Sequence, residues 1–166
     1  ACSAGPAFEG GDISCGMRAT DGAIEACSID AKTMEPTFSV IGKEGQKPVG
    51  LCGSGIIDVI AELFRCGIIS PKGKFVRESD RVRHDHYGIG SYVLAFKEDA
   101  AGHKDVEINE VDIDNFIRAK GAIFSAICTM LRSLDFDVSM FENVYVAGGI
   151  GSGINMRKAV TIGMFP

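Results

Sequence analysis

The segment best suited to binding chemistry joins a hydrophobic stretch to closely spaced glycines, Val144-Tyr145-Val146-Ala147-Gly148-Gly149-Ile150-Gly151-Ser152-Gly153. The apolar run predicts a short buried strand. Glycines directly after a strand let the backbone approach a flat or anionic ligand with no Cβ in the way. A tight strand-to-helix turn without a ligand is the alternative. The spacing fits neither a Walker loop, which ends in Gly-Lys-Ser or Gly-Lys-Thr, nor the G-x-G-x-x-G dinucleotide pattern, because position 154 is Ile.

A second glycine turn, Gly53-Ser54-Gly55, opens a predicted helix. Ser54 is the expected N-cap, and apolar residues at helical spacing build a buried face behind it. Free amides at a helix N-terminus can hold phosphate. No Lys or Arg is near in sequence, so these residues alone favour close helix–sheet packing. Asp58 follows in the same helix, where a carboxylate either serves a function or compensates the helix dipole.

Three further groups of side chains are candidates for chemistry. Glu9 stands among glycines and apolar residues, where its carboxylate could order water or a metal-bound nucleotide, although a surface or capping role is the simpler interpretation. His84 and His86 lack the partners of a closed metal site, and we expect no metal ligands. Arg118 and Lys120 lie on a predicted amphipathic helix, either facing a nucleotide or forming its solvated face.

Strands that alternate with helices position these residues and predict an α/β domain with a mixed sheet. A hairpin should come first, and the polar residues 70–90 should form an exposed excursion. Asp112 is the expected cap of the long helix. In chain order the predicted strands are 23–29, 37–41, 91–97, 106–108 and 144–147, and the predicted helices begin at Ser54, extend over 113–133 and cover 155–163.

Composition excludes several classes of protein. With a net charge of −5 and no basic stripe, the chain is a poor nucleic-acid binder. No apolar run approaches the ~20 residues that span a bilayer, and the N-terminus is not a signal peptide. The six cysteines, at 2, 15, 27, 52, 66 and 128, have no spacing typical of disulfides or an iron–sulfur cluster. Reduced, mostly buried thiols in a cytoplasmic protein are expected.

Several motifs then coincide in order across the chain. They are Ala1–Gly11, Gly16-Met17-Arg18-Ala19, Gly22–Glu25, Leu51–Asp58, Asp112–Ile123 and Val144–Gly149. In this order they resemble the C-terminal region of the reductive activators of corrinoid-dependent enzymes. That region belongs to the acetate and sugar kinase, heat-shock chaperone and actin superfamily, and the resemblance covers essentially the whole chain.

The resemblance implies a partial actin-like ATPase fold with a ribonuclease-H-like mixed sheet flanked by helices. It also implies ATP with Mg²⁺ and a [2Fe–2S] cluster in the longer protein, which would return cob(II)alamin to cob(I)alamin on a corrinoid protein or corrinoid methyltransferase. Gly148 and Gly149 match the family's adenosine motif, and Lys120 lies on the helix that would flank the base. The candidate cofactor-binding residues are Gly148, Gly149, Gly151, Lys120, Gly53, Ser54, Gly55 and Glu9.

Departures from the family pattern limit what this chain should do alone. The Asp-x-Gly-Thr phosphate loops and the cluster cysteines are not in the sequence, and in the family they lie upstream. Residues 1–166 are therefore expected to form a single domain or a fragment of an ATPase region, which supplies the adenosine side of the site and has little activity by itself. Two alternatives remain: a docking or dimerisation module with a vestigial nucleotide cleft, acting for example as a homodimer, and a small-molecule kinase of the same superfamily.

Overall fold

The computed structural model of the chain describes residues 6–9, 11–148 and 152–165, with residues 8 and 9 described by their backbone alone. Two short 3-10 helices, Pro6–Glu9 and Val138–Met140, accompany the strands and α-helices. The strands are β1 (Ala23–Ile29), β2 (Pro36–Val40), β3 (Gly50–Leu51), β4 (Val82–His84), β5 (Gly90–Ala95) and β6 (Val106–Asn109), and the helices are α1 (Gly53–Arg65), α2 (Glu110–Ser133) and α3 (Met156–Thr161).

The first sheet contains the predicted hairpin. β1 and β2 pair antiparallel, with Cys27 opposite Phe38, while β3 lies parallel to β1 on its other side and pairs Leu51 with Ile24. The order is therefore β2-β1-β3. Because one pairing is antiparallel and the other parallel, the sheet is mixed, as the alternation of strands and helices predicted.

Helix α1 packs against this sheet through an apolar face. Ile56, Ile57 and Leu63 are completely removed from solvent. Beyond the end of the helix, Gly67 has a φ of +63°, the left-handed conformation that commonly follows a helix and favours glycine. The predicted cap at Ser54 is wrong: the helix begins at Gly53 and its N-cap is Cys52, which makes no capping side-chain hydrogen bond. The Ser54 hydroxyl therefore lies inside the first turn.

The second sheet is antiparallel, in the order β4-β5-β6. Strands β5 and β6 confirm the predictions for 91–97 and 106–108. Strand β4 lies inside the segment predicted as a polar excursion and was not predicted. Two of its three residues, Arg83 and His84, are exposed, so the sequence shows no apolar alternation there. The two sheets are joined through Tyr92 of β5, whose buried hydroxyl donates to the carbonyl oxygen of Met34 at 2.7 Å.

Helix α2 begins earlier than predicted, with Asn109 rather than Asp112 as its cap. The Asn109 side chain accepts from the Asp112 amide, and the Asp112 carboxylate accepts from the Asn109 amide. Asp112 thus occupies the third helical position of a capping box, which satisfies two otherwise unpaired amides. Asp112 also accepts from the amide and hydroxyl of Ser14, and so holds the loop before β1 against the helix.

The predicted buried strand at 144–147 is wrong. These residues have no strand pairing and are exposed, Val144 at 71% and Tyr145 at 89%. Hydrophobic and β-branched residues favour a strand only when a neighbouring strand supplies backbone partners and a packing surface. In the described part of the chain, no such neighbour lies beside 144–147. None of the described helices combines the length and apolar character that crossing a membrane requires.

Candidate functional site

Gly55 is set by close packing between α1 and the first sheet. A Cβ built at this position would lie 2.0 Å from the carbonyl oxygen of Ile24 in β1. That distance is far inside van der Waals contact, so only glycine allows the helix to approach the strand this closely. The packing interpretation of the Gly53-Ser54-Gly55 turn is therefore correct for Gly55.

The start of α1 nevertheless presents polar backbone groups. The first intrahelical hydrogen bond runs from the Ile56 amide to the Cys52 carbonyl, so the helix itself does not use the amides of Gly53, Ser54 and Gly55. The Ser54 hydroxyl is 3.4 Å from the Cys52 thiol. These amides and this hydroxyl are the groups that the turn offers to an anionic ligand.

The two glycine turns that the sequence singled out meet in space. A Cβ on Gly153 would lie 3.7 Å from the Cβ and Oγ of Ser54, although about 100 residues separate the two turns in the chain. Gly148 has a φ of +115°, and a Cβ placed there would meet no heavy atom within 4 Å. The backbone conformation thus requires glycine here, and the space beside its Cα is open. Gly149 and Gly151 lie outside the described residues, as does the side chain of Glu9.

A mostly buried ion pair lies directly behind the meeting point of the turns. Lys158 of α3 places its Nζ 3.0 Å from Oδ2 of Asp58 in α1, and the two side chains are 17% and 6% exposed. The same lysine donates to the carbonyl of Cys27 in β1. Asp58 in turn accepts from the Cys27 amide at 3.1 Å. The pair therefore joins one strand and two helices.

Glu62 extends this arrangement by one turn of α1. It accepts from the Ile29 amide at 2.9 Å and from Arg65 at 2.7 Å, with Lys158 Nζ 3.8 Å away. Burial acts to raise the pKa of Glu62, but the hydrogen bonds from Arg65 and the Ile29 amide, together with the charge of Lys158, outweigh it and lower the pKa. Glu62 is therefore held as a carboxylate.

At Cys27 and Ile29, on one edge of β1, both backbone amides and both backbone carbonyls form hydrogen bonds with side chains. The two amides donate to Asp58 and Glu62. The Cys27 carbonyl accepts from Lys158, and the Ile29 carbonyl accepts from Arg65 and from the Cys66 thiol. Burial raises the pKa of the Cys27 thiol to about 12 and also raises that of Cys66. Both are packing thiols and not nucleophiles, as expected from the sequence.

Lys120 reaches the opposite end of α3. Its Nζ donates to the carbonyl of Ile162, just past the last helical residue, where a cation complements the helix dipole. The same side chain borders a cavity of about 340 Å³ whose other walls are largely apolar and include Ile60, Phe64, Ile113 and Ile117. Lys120 therefore has a structural partner and also faces an open apolar space.

The histidines of the excursion do not form a metal site. His86 stacks on the Tyr87 ring, with 3.8 Å between centroids. Over residues 6–9, 11–148 and 152–165, no three His, Cys, Asp or Glu side chains are grouped to hold a metal ion. The described cysteines 15, 27, 52, 66 and 128 are all free thiols.

Sequence reasoning missed the Lys158–Asp58–Glu62 cluster. A signal was present, since Asp58 and Glu62 are spaced i, i+4 on the helix whose other residues are nearly all apolar. Carboxylates in such a setting are almost never fully buried without a partner. That signal predicts a cation from elsewhere in the chain, although it does not identify Lys158.

Comparisons with known proteins agree over the whole chain. The family described as the C-terminal domain of RACo, the ASKHA domain, matches residues 1–166. A solved structure named as a reductive activator for corrinoid, iron-sulfur protein superposes with a TM-score of 0.90 and 44% identity, covering 99% of this chain and 26% of that one. The fold is therefore actin-like.

Two curated proteins are also similar. The corrinoid activation enzyme RamQ of Eubacterium limosum is 36% identical over 170 residues, which cover 98% of this chain and 28% of RamQ. A reductase of Methanosarcina barkeri, named for a Co(II) methylated amine-specific corrinoid protein, is 26% identical over 189 residues, covering 99% of this chain and 30% of the reductase. The chain thus spans less than a third of the length of the relatives it matches.

Proposed function

Because this chain belongs to the family of C-terminal ASKHA domains of RACo, we propose that it forms the adenosine-facing part of an ATP-dependent reductive activator. The activator would return cob(II)alamin to cob(I)alamin on a corrinoid protein or corrinoid methyltransferase. The names of RamQ and of the M. barkeri reductase, which refer to corrinoid activation and to a Co(II) corrinoid protein, support this assignment.

One geometric observation carries the proposal within this chain. Gly153, from the second glycine-rich segment, lies against Ser54 in the first turn of α1. Glycines at a ligand site remove the side chains that would keep a base or ribose away from the backbone. A shared surface of bare backbone and helix amides is what a nucleoside with an attached phosphate would require.

Different residues would contact the base of adenosine and the phosphate attached to it. The space beside the Gly148 Cα is open, which would let the flat base lie against the main chain. Lys120 and the apolar cavity beside it offer an apolar wall with one cation at its edge. The start of α1 offers amides for the phosphate nearest the ribose. Gly149, Gly151 and Glu9 remain candidates from the sequence.

Other parts of the reaction require groups beyond these residues. Bound ATP would supply the free energy that drives electron transfer to a low-potential corrinoid. The described residues offer an adenosine surface but no carboxylate cluster that fits Mg²⁺. They also offer no grouped cysteines that fit a [2Fe–2S] cluster, which needs four closely placed ligands. This chain would therefore bind and orient the nucleotide rather than transfer the electron. With its thiols reduced, it would work in the cytoplasm.

The test is a titration of adenosine into the ¹⁵N-labelled chain, followed by amide chemical shifts. We expect saturable shifts at Gly148 and around Lys120, and weak affinity. Gly148→Ala should reduce these shifts, because alanine disfavours the left-handed φ and its methyl group would fill the open space beside the Cα. Gly88→Ala is the matched control, since Gly88 also has a positive φ and open space around its Cβ. If no saturable shifts appear, or if they lie elsewhere, the adenosine assignment is wrong.

A docking role is the second candidate, and the exposed apolar side chains that follow α2 favour it. Among them are Leu134, Phe136, Met140, Phe141, Val144 and Tyr145. Exposed apolar surface of this extent is typical of interaction sites. Sedimentation analysis of the chain distinguishes a homodimer from a monomer that needs another partner. The two functions are compatible, because Lys120 and the α1 turn are not among these residues.

A further inference from the structure

The ion pair between Lys158 and Asp58 has a position that neither packing nor the proposed nucleotide contacts explain. Asp58 lies four residues after Ser54 on α1, so both project from the same side of the helix. Lys158 is the third residue of α3, and only Ile154 and Asn155 separate that helix from Gly153. The surface of α1 that contacts the second glycine turn through Ser54 therefore contacts the next helix through Asp58.

We propose that Lys158 is a positioning residue that holds Ser152 and Gly153 against the start of α1, and so sets the affinity of the nucleotide site. This inference rests on the proposed function. Lys158 itself has no part in the adenosine surface. Its effect would pass through the relative placement of the two turns.

The hydrogen bonds of the ion pair support a role in fixing the placement of α3 rather than a general contribution to stability. Lys158 Nζ has two acceptors within normal hydrogen-bond reach, Asp58 Oδ2 and the Cys27 carbonyl. Asp58 Oδ2 also accepts from the Cys27 amide. α3 is therefore tied to the strand and to α1 at one point. A buried ion pair of this kind is poor evidence for stability but has been found to specify a single arrangement.

Neighbouring charges do not replace the pair. Glu62 Oε1 is 3.8 Å from Lys158 Nζ and already accepts from Arg65 Nε at 3.1 Å, while Oε2 accepts from Arg65 and from the Ile29 amide at 2.7 and 2.9 Å. Loss of Asp58 would therefore leave Lys158 with the Cys27 carbonyl and the longer contact to Glu62. Loss of Lys158 would leave Asp58 with the Cys27 amide among the partners described here, and would remove the polar link between the start of α3 and α1.

The experiment measures adenosine affinity by amide shifts in the wild-type chain and in variants. Lys158→Met should weaken binding by at least about fivefold, the lower range of couplings between linked sites. Lys158→Arg, which keeps the charge and reach, should recover most of the loss. Lys74→Met is the matched control, because Lys74 also pairs with a mostly buried carboxylate, that of Glu110, at 2.7 Å. The control should bind as the wild type does.

Lys158→Met leaves a buried carboxylate without its cation and could fail to fold for that reason alone. A second variant therefore keeps the proposal testable. The double variant Lys158→Met with Asp58→Asn removes both charges and keeps the volume. It should fold, as judged by circular dichroism, and still lose at least about fivefold in affinity because the link is gone. Hydrogen exchange of the Ser152 and Gly153 amides in the free protein should be faster in this variant than in Lys74→Met.

The outcomes separate the two claims. A wild-type chain that shows no saturable shifts with adenosine contradicts the proposed function and this inference with it. Wild-type binding together with unchanged affinity in the double variant overturns the positioning role alone. Weaker binding with unchanged hydrogen exchange at 152 and 153 also overturns it, because the turn would not have moved.

Discussion

Gly55 and Ile24 are in such close contact that the position of α1 depends on them. A Cβ at 55 would stand 2.0 Å from the Ile24 carbonyl oxygen. Since that oxygen belongs to the backbone of β1, no side-chain rotation can relieve the clash. The first turn of α1, including the amides assigned to the ligand site, is therefore located by one glycine.

Gly55→Ala should destabilise the chain. The added methyl forces the helix away from β1, and overpacking of this kind costs about 1–3 kcal/mol in the free energy of unfolding. Urea unfolding followed by circular dichroism measures the change. Gly121→Ala is the control, because Gly121 lies within α2 with open space around its Cβ. It should gain up to about 1 kcal/mol from helix propensity. A Gly55→Ala chain as stable as the wild type would contradict the predicted clash.

Stability should fall in acid partly because of Glu62. Its pKa is lowered in the folded chain from an ordinary value of 4.5. A lowered pKa stabilises the fold above the unfolded value, and this contribution disappears as the pH falls through the folded pKa. The difference in unfolding free energy between the wild type and Glu62→Gln should therefore shrink below about pH 4.5. Denaturant titrations at several pH values measure it.

The exposed Glu78 provides the comparison for that series. It has no hydrogen bond or ion pair among those found in the described residues. Glu78→Gln should differ from the wild type by only a small amount, because no hydrogen bond or ion pair described here is lost. If the Glu62→Gln difference stays constant from about pH 6 to pH 3, the charged contacts of Glu62 do not stabilise the fold.

Cys27 should resist alkylation in the native chain. Only a thiolate reacts readily, and burial raises the pKa of this thiol to about 12. At pH 8, iodoacetamide should modify the half-buried Cys128 first and should reach Cys27 and Cys66 only after urea is added. Peptide mass spectrometry gives the order. Modification of Cys27 at the rate of Cys128 would show that β1 opens readily.

Lys120→Met should reveal both contacts of this side chain. Loss of the hydrogen bond to the Ile162 carbonyl should cost about 0.5–1 kcal/mol at the end of α3, measured by thermal unfolding. The shifts caused by adenosine should also decrease, because Lys120 borders the apolar cavity. Lys120→Arg should restore stability. A stability loss with unchanged adenosine binding would limit Lys120 to capping.

Local patterns predicted the parts of the fold that depend on neighbours in sequence. The hairpin, β5, β6 and the apolar face of α1 followed from alternation and helical spacing. Cap positions shifted by two and three residues, because Cys52 and Asn109 took the roles expected of Ser54 and Asp112. Side chains near a helix start compete for the same amides, and sequence alone does not decide between them.

Long-range relationships were not predictable in the same way. The segment 144–147 has the composition of a buried strand, yet strand formation depends on a partner that composition does not specify. Lys158 and Asp58 are 100 residues apart, and no local pattern links them. The two glycine turns were each recognised from the sequence, whereas their contact through Ser54 and Gly153 required the fold.

The side chains bonded to the edge of β1 also determine where a further strand could be added to the first sheet. At Cys27 and Ile29 both amides and both carbonyls are already bonded to side chains of α1 and α3 and to Cys66. An incoming strand would have to displace two carboxylates and two cations before it could form a ladder here. Natural sheets often protect an edge with charged side chains, which discourages aggregation. A strand added to this sheet at the level of Cys27 and Ile29 would therefore have to pair with β2 and not with β1.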